Sequence, residues 1–170
     1  MTKLSFRFNH PQYSDELINK SLNEILETNT LLSMATLKSN EEPWINTAFY
    51  AYNENLDFYF MTQSITQHGT NLQTNSSIAV SIFDSHQQPT DKKRGLQLFG
   101  TWELATGEAL EEETKYYSNR FPGLTKYIKD VKDWETTTLK SRIYVIHTQI
   151  IKIFDEVLFG PEVWVTVSVS

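Results

Sequence analysis

A segment rich in small polar side chains follows a run of strand-forming residues near the middle of the chain. Residues 56–72 read LDFYFMTQSITQHGTNL, so a predicted strand leads into a polar turn and then into a helix. Ser64, Thr66, Gln67 and His68 stand where that helix begins. Hydroxyl, amide and imidazole groups beside the unpaired N–H groups of a helix start are suited to binding a phosphate. The alternative is simple capping, since Ser and Thr are common residues before a helix.

Most other chemistries lack the residues that they need. The chain has no cysteine, which excludes thiol catalysis, disulfides and iron–sulfur clusters. None of its 6 glycines forms a Gly-x-Gly pair, so a glycine-rich nucleotide loop is not expected. The 4 histidines have no His-x-x-x-His spacing, and Asp84 with His86 is better explained as a solvated loop pair than as a metal site. We therefore predict no metal ion and no catalytic side chain.

The composition predicts one acidic domain. The chain has 170 residues, with 15 Lys and Arg against 21 Asp and Glu, which gives a net charge of −6. This length suits a single domain over residues 1–170, and the acidic balance argues against binding nucleic acid, which requires a basic face. No apolar run is long enough to span a bilayer, and residues 1–10 lack the apolar core of a secretion signal. We therefore expect a cytoplasmic protein with no membrane or nucleic-acid partner.

Hydrophobic periodicity predicts the elements that would position the polar segment. Apolar residues at helical spacing follow Ser14, which can cap a helix. Runs of β-branched and aromatic residues are separated by short polar turns, which favour antiparallel pairing. Helices are predicted at 14–28, 66–75, 108–119 and 124–132, and strands at 31–37, 44–52, 56–61, 77–83, 96–104, 142–154 and 163–170.

The predicted strands indicate a mostly β fold. Six or seven antiparallel strands with few helices are typical of a small closed or split barrel with peripheral helices. Gly100 lies inside the fifth predicted strand, where a glycine indicates a bulge or a barrel corner. Aromatic residues make up 13% of the chain, and alternation along the strands sends part of them to the outer face. A large apolar outer face is what a permanent dimer buries.

Five ordered segments of the chain resemble a known family. They are NTAFYAYNENLDFYFMT (46–62), TQH (66–68), GLQLFG (95–100), YYSNRFP (116–122) and IKIFDEVLFG (151–160). Their order and spacing are similar to those of the FMN-binding split-barrel superfamily, which is also called pyridoxamine 5'-phosphate oxidase-like. The resemblance covers nearly the whole chain. It implies a six-stranded antiparallel split barrel with an N-terminal helix, and a homodimer that holds two FMN molecules between its subunits.

The resemblance also implies a set of cofactor-binding residues. The second and third strands would line the isoalloxazine ring and the ribityl chain, the following turn would hold the phosphate, and a fifth-strand side chain would reach the flavin. These residues are Asn46, Thr47, Ala48, Met61, Thr62, Ser64, Thr66, Gln67, His68 and Gln97. Gln67 and His68 stand where many relatives have Arg and Lys, so a protonated His68, or Lys93 or Arg94, would have to supply positive charge. The arginine signature of the vitamin B6 oxidase near the C-terminus is absent.

Three functions follow from this resemblance. The first is an FMN-dependent oxidoreductase of unassigned substrate, in which the flavin supplies the redox chemistry and the protein supplies position and electrostatics. The second is a flavin-binding module for storage or sensing that does not catalyse a reaction. The third is a haem or deazaflavin binder on the same fold, in which a histidine would ligate a haem iron.

Overall fold

The strands form one antiparallel sheet that closes on itself. The computed structural model describes residues 3–128, 131–135 and 140–169. The order of the strands is β3-β2-β1-β4-β5-β6-β7, and β3 also pairs with β6. Six strands therefore close a barrel, and β7 adds to β6 outside the closed circuit. The strands are β1 Leu31–Leu37, β2 Pro43–Tyr52, β3 Phe58–Thr62, β4 Ser77–Phe83, β5 Arg94–Leu104, β6 Arg142–Asp155 and β7 Trp164–Ser168.

Three α-helices and two short 3-10 helices surround the barrel. The α-helices are α1 Asp15–Thr28, α2 Gln67–Thr74 and α3 Gly107–Arg120, and the 3-10 helices are Pro122–Lys126 and Val131–Glu135. The mostly β architecture predicted from the sequence is confirmed. The helix predicted at 124–132 is replaced by the two 3-10 helices, and its residues 129–130 lie outside the described residues, as does Ser170 at the end of the last predicted strand.

Helix α1 begins as the sequence predicts and fills one side of the barrel. The Ser14 hydroxyl accepts a hydrogen bond from the Leu17 N–H at 3.3 Å, which caps the helix. Most of its apolar stripe is buried, including Leu22 and Leu26, while Leu17 is half-buried. These residues pack with inward-facing aromatic side chains of β2 and β3 such as Tyr50 and Phe58. Burial of this stripe supplies most of the driving force that holds the helix to the barrel.

The predicted bulge at Gly100 is present. The β5–β6 register shifts between Phe99 and Gly100, because Phe99 pairs with Ile150 whereas Gly100 pairs with Thr148. A Cβ on Gly100 would lie 2.0 Å from the His147 carbonyl oxygen. Only glycine therefore fits at this corner, where the bulge increases the local bend of the barrel wall.

The outer face of the barrel is covered on one side only. Helix α3 and the 3-10 helices bury a second apolar cluster on β2, β3 and β6, in which Tyr59, Tyr117 and Trp134 meet. Across β1, β2, β4, β5 and β7, large apolar side chains remain exposed; Ile45 is 71% and Phe49 is 55% accessible. In the described part of the chain, no helix is long and apolar enough to cross a membrane.

Candidate functional site

The barrel is open between β2 and β3. The two strands pair over three positions only, from Tyr50↔Phe60 to Tyr52↔Phe58, although β2 has ten residues. The first half of β2 pairs with β1 on one side and has no β3 partner on the other. The tip of β3 instead pairs with β6, where Thr62 lies opposite Arg142. We call this gap between β2 and β3 the split.

A cavity of about 540 Å³ lies at the split. Strand β2, the end of β3, helix α2, helix α3 and the first 3-10 helix all contribute to its wall. Six of the residues predicted from the sequence line it: Asn46, Thr47, Ala48, Met61, Thr62 and His68. The remaining lining residues are Phe49, Tyr117, Phe121 and Leu124. The wall contains no Lys, Arg, Asp or Glu among these residues, so the cavity is largely apolar with a polar end.

The free edge of β2 directs peptide groups into the split. The Tyr117 hydroxyl donates to the Phe49 carbonyl at 3.2 Å, so the Phe49 peptide oxygen faces the split. Peptide groups of residues two apart point to the same side of a strand. The Thr47 N–H and C=O therefore face the split as well. This exposes one backbone donor and one backbone acceptor in the cavity wall.

The side chain of Asn46 has a buried hydrogen-bond acceptor that no donor contacts. Its Oδ1 atom is buried and has no hydrogen-bond partner in the described structure. Buried polar side-chain atoms are nearly always hydrogen-bonded, because leaving one unpaired costs about 1–3 kcal/mol. Asn46 lines the cavity through its other atoms, so a turn of its side chain would bring Oδ1 to a ligand N–H.

The polar end of the cavity is built by the turn between β3 and α2. Thr62 Oγ1 lies 2.5 Å from His68 Nε2 and 3.3 Å from Thr66 Oγ1. The Thr66 hydroxyl also accepts from the Gly69 N–H at 3.1 Å and donates to the Gln63 carbonyl at 2.8 Å. Thr66 is therefore a true N-cap, so the capping interpretation holds beside the phosphate interpretation.

Burial disfavours the positive charge on His68. It lowers the pKa of the imidazole below the ordinary value. The positive charge considered for His68 is therefore opposed by its surroundings in the protein. A phosphate beside the ring would oppose the effect of burial and raise the pKa.

Two other predicted residues of the turn face away from the cavity. Ser64 is exposed, and the Gln67 amide donates to Asn71 Oδ1 at 2.8 Å. Neither side chain is among those that line the cavity. They lie within a few residues of it along the chain, at the outer surface of the turn.

Gln97 lies on a different part of the outer face. In the sheet register it belongs to a row in which Thr47 pairs with Ser33, Ser33 with Ser81 and Ser81 with Gln97. Three strand spacings of about 4.8 Å separate Gln97 from Thr47, so the two lie about 14 Å apart. One chain therefore does not bring Gln97 to the cavity; it lines a separate groove with Phe83 and Trp164.

The two basic residues considered as alternatives are engaged elsewhere. The Arg94 guanidinium donates to Asp155 at 2.8 Å and to Glu24 at 2.7 Å, where it ties β5 to β6 and α1. The Lys93 ammonium donates to the carbonyls of Pro89 and Asp91 within its own loop. Neither residue belongs to the cavity wall.

Sequence reasoning missed the aromatic wall and one basic residue. Tyr117 of α3 and Phe121, which directly follows the helix, have ring centroids 5.1 Å apart, and Phe121 also packs on Phe49 at 5.6 Å. The predicted helix 108–119 contains Tyr117 but ends before Phe121, so the sequence indicated neither their contact nor the strand that they cover. Arg142 is missed because its pairing with Thr62 joins residues that are far apart in sequence.

Solved structures of other proteins share this fold. A haem-binding protein from Mycobacterium smegmatis superposes with a TM-score of 0.67 at 16% identity, covering 85% of this chain and 55% of its own. The conserved hypothetical protein Rv2991 from Mycobacterium tuberculosis gives 0.66 at 18% identity, covering 94% of this chain and 95% of its own. This chain therefore spans about half of the haem-binding protein but nearly all of Rv2991. At these identities the likeness concerns the fold alone.

A third solved structure carries a family name. A protein related to general stress protein 26 of Bacillus subtilis, from the pyridoxinephosphate oxidase family of Clostridium acetobutylicum, gives a TM-score of 0.62 at 18% identity, covering 90% of this chain and 94% of its own. Comparison with curated proteins finds no match. The family model for pyridoxamine 5'-phosphate oxidase matches residues 18–143, from α1 to the start of β6. The chain therefore belongs to the pyridoxamine 5'-phosphate oxidase family.

Proposed function

We propose that this protein binds FMN in the cavity at the split and acts as a flavin-dependent oxidoreductase. The observation that carries the proposal is the convergence of Asn46, Thr47, Ala48, Met61, Thr62 and His68 on one cavity. The resemblance to the split-barrel superfamily implies all six as cofactor-binding residues.

The chemistry of the cavity wall supports a flavin ring. An isoalloxazine has two apolar faces and a polar pyrimidine edge with one N–H between two carbonyls. Phe49, Met61 and Phe121 offer apolar surface for the faces. The Thr47 peptide and the unpartnered Asn46 Oδ1 offer acceptors and a donor for the edge. When bound, the flavin would supply the electron transfer, and these residues would bind it, orient it and exclude water.

The polar end of the cavity supports the phosphate. Thr62 and His68 line it, Thr66 caps α2 beside them, and a helix start favours an anion. Ser64 and Gln67 lie on the same turn and belong to the proposed phosphate segment. Arg142, which pairs with Thr62 across the β3–β6 ladder, brings a fixed positive charge to this strand end.

We further propose a homodimer that completes the site. The uncovered outer face carries large exposed apolar side chains, which a second copy of the chain would bury. Gln97 is about 14 Å from Thr47 within one chain, so it could contact the flavin only from the partner subunit. The exposed apolar residues of this face are Leu31, Ile45, Phe49, Phe83, Phe99, Ile150 and Trp164.

Titration of the purified protein with FMN tests the proposal. Flavin fluorescence follows binding, and riboflavin serves as the matched ligand that lacks the phosphate. We expect FMN to bind more tightly than riboflavin, and Asn46→Ala to weaken both by about tenfold, which corresponds to one hydrogen bond of about 1.4 kcal/mol. Asn40→Ala, in an exposed turn, is the matched control and should bind as the wild type does. Failure of the wild type to bind either flavin would refute the proposal.

Haem is the second candidate ligand, since the similar structure from Mycobacterium smegmatis is that of a haem-binding protein. A haem iron would need a histidine ligand with a free ring nitrogen. Both ring nitrogens of His147 contact carboxylates, at 3.0 and 3.1 Å, so that residue is not placed to ligate iron. A parallel titration with hemin distinguishes the candidates. A Soret shift without FMN binding would favour haem, whereas FMN binding without turnover of NAD(P)H and an acceptor would favour a non-catalytic flavin module.

A further inference from the structure

A cluster of four ionisable side chains lies away from the split. His147 on β6 is held between Asp57, just before β3, and Glu103 on β5. Its Nδ1 lies 3.0 Å from Asp57 and its Nε2 lies 3.1 Å from Glu103. A neutral imidazole has one N–H, so donating to both carboxylates requires the imidazolium. Burial opposes the charge on His147, but the hydrogen bonds to Asp57 and Glu103 outweigh it and raise the pKa.

Glu113 on α3 completes the cluster. It is 6% exposed, and its Oε2 atom is buried without a hydrogen-bond partner. Burial raises the pKa of this carboxyl to about 7, and the negative charges of Glu103 and Asp57 act in the same direction. The positive charge on His147 acts against them. A buried carboxyl in this setting is stable only when it is protonated or faces a cation.

We infer that Asp57, Glu103, Glu113 and His147 form a proton-binding cluster that holds helix α3 against the barrel. When Glu113 is protonated and His147 is charged, the cluster holds two anionic carboxylates around one cation. When both protons are lost, three carboxylates face one another with no cation among them. The repulsion acts between α3 and the strands beneath it, so loss of the protons favours release of the helix.

Other charged and titratable groups surround the cluster. On α3 these are Glu112 and Tyr116, of which Tyr116 donates to Glu54, and on β3 there is Tyr59. The second 3-10 helix packs on α3 through Trp134, whose Nε1 donates to Thr114 at 2.9 Å, and this helix carries Lys132 and Asp133. Glu112 adds to the negative potential at Glu113. Glu112 therefore adds to the negative charge that protonation of the cluster offsets.

Release of α3 would alter the cavity at the split. Tyr117, one turn after Glu113, lines the cavity and donates to the Phe49 carbonyl. Phe121 follows the helix and lines the same wall. A helix loosened at high pH would thus withdraw the aromatic wall and one contact to the free edge of β2. Proton binding at the cluster is in this way linked to closure of the cavity.

Hydrogen exchange of α3 amides tests the inference on the protein without ligand, independently of any flavin. After correction for intrinsic rates, we expect the opening of α3 to increase at least about tenfold between about pH 5.5 and pH 8, because each released proton contributes up to about tenfold per pH unit. Glu113→Gln should remove most of this increase. Glu112→Gln, the same substitution at the exposed neighbour, should retain it.

Two results would overturn the inference. One is exchange of α3 in the wild type that does not depend on pH beyond the intrinsic rate. The other is an equal loss of pH dependence in Glu112→Gln and Glu113→Gln. If Glu113→Gln does not fold, ¹³C NMR of the wild-type carboxyl groups decides the matter: a glutamate that titrates near pH 7 supports the cluster, and its absence refutes it.

Discussion

Gly69 is the point at which the turn between β3 and α2 presses most closely on the helix. A Cβ at this position would lie 2.5 Å from the Gln63 carbonyl oxygen and 2.9 Å from that of Ser64. Cβ atoms do not approach other atoms closer than 3.0 Å, so Gly69→Ala forces the Gln63 peptide outward by about 0.5 Å or more. Such overpacking costs about 1–3 kcal/mol, against a gain of about 1 kcal/mol from replacing a helical glycine by alanine.

The chain offers a matched control for this substitution. Gly123, in the first 3-10 helix, has nothing within 4 Å of its Cβ position. Gly123→Ala should therefore be neutral or slightly stabilising. Because both substitutions replace a helical glycine by alanine, the gain from that replacement cancels between them, and urea denaturation should place Gly69→Ala below Gly123→Ala by about 1–3 kcal/mol in free energy of unfolding.

The same displacement should weaken flavin binding. The turn carries Thr66 and leads into His68, whose ring meets Thr62 at the polar end of the cavity. We expect Gly69→Ala to raise the Kd for FMN by about tenfold, or about 1.4 kcal/mol, and to affect riboflavin less. A Gly69→Ala protein as stable as Gly123→Ala and with wild-type FMN affinity would refute this account of the turn.

Three further outcomes follow from the fold. Gly100→Ala should lower the free energy of unfolding by at least about 3 kcal/mol in urea denaturation, because its Cβ would overlap the His147 carbonyl oxygen at 2.0 Å; a loss below 1 kcal/mol would contradict the bulge. Asp155→Ala should cost about 3–5 kcal/mol by the same measurement, since Asp155 is fully buried and pairs with Arg94; a near-neutral result would show that this pair does not matter. The melting temperature should fall as pH rises from about 5 to 8, because the pKa values of Glu113 and His147 are raised in the folded chain; both groups stabilise the fold at low pH and lose that contribution as the pH passes their folded pKa. A melting temperature that stays constant over this range would contradict the predicted loss of stability with rising pH.

Local patterns were sufficient for the elements of the fold. The predicted helix 14–28 and strand 31–37 match the observed elements to within one residue, because each has a clear periodicity and a polar boundary. The bulge at Gly100 was also predictable from local sequence, because a glycine inside a predicted strand indicates a bulge or a barrel corner. The short helices after α3 were harder to predict, since Pro122 and Gly123 interrupt any continuous period.

The candidate site was predictable where it follows the chain and not where it depends on pairing. Met61 and Thr62 end β3 and His68 lies in the first turn of α2, only six residues later, so their proximity was implied by the sequence. Phe49 and Phe121 meet only because α3 packs on β2, and Asp57 meets His147 across 90 residues. Contacts of this kind depend on strand register and helix docking, which local sequence does not determine.

The split itself follows from the lengths of the two strands that border it. Strand β3 ends after five residues, because Thr66 caps α2 directly after the turn and Asn71 of α2 anchors to Thr36 of β1 by a hydrogen bond of 2.9 Å. Strand β2 has ten residues, so its first half extends beyond β3 with a free edge. A free edge normally invites unwanted pairing, and proteins cover or block it.

Here the cover is partial. The Tyr117 hydroxyl donates to the Phe49 carbonyl, whereas the Thr47 peptide on the same edge faces the cavity that Thr47 lines. If that edge binds a flat ligand, removing the hydrogen bond that Tyr117 makes to it should not abolish binding. Tyr117→Phe keeps the ring and deletes the hydroxyl, so it should lower flavin affinity by no more than about tenfold, since a typical neutral hydrogen bond contributes about 0.5–1.5 kcal/mol. A loss of a hundredfold or more would show that α3, and not the edge of β2, dominates the site.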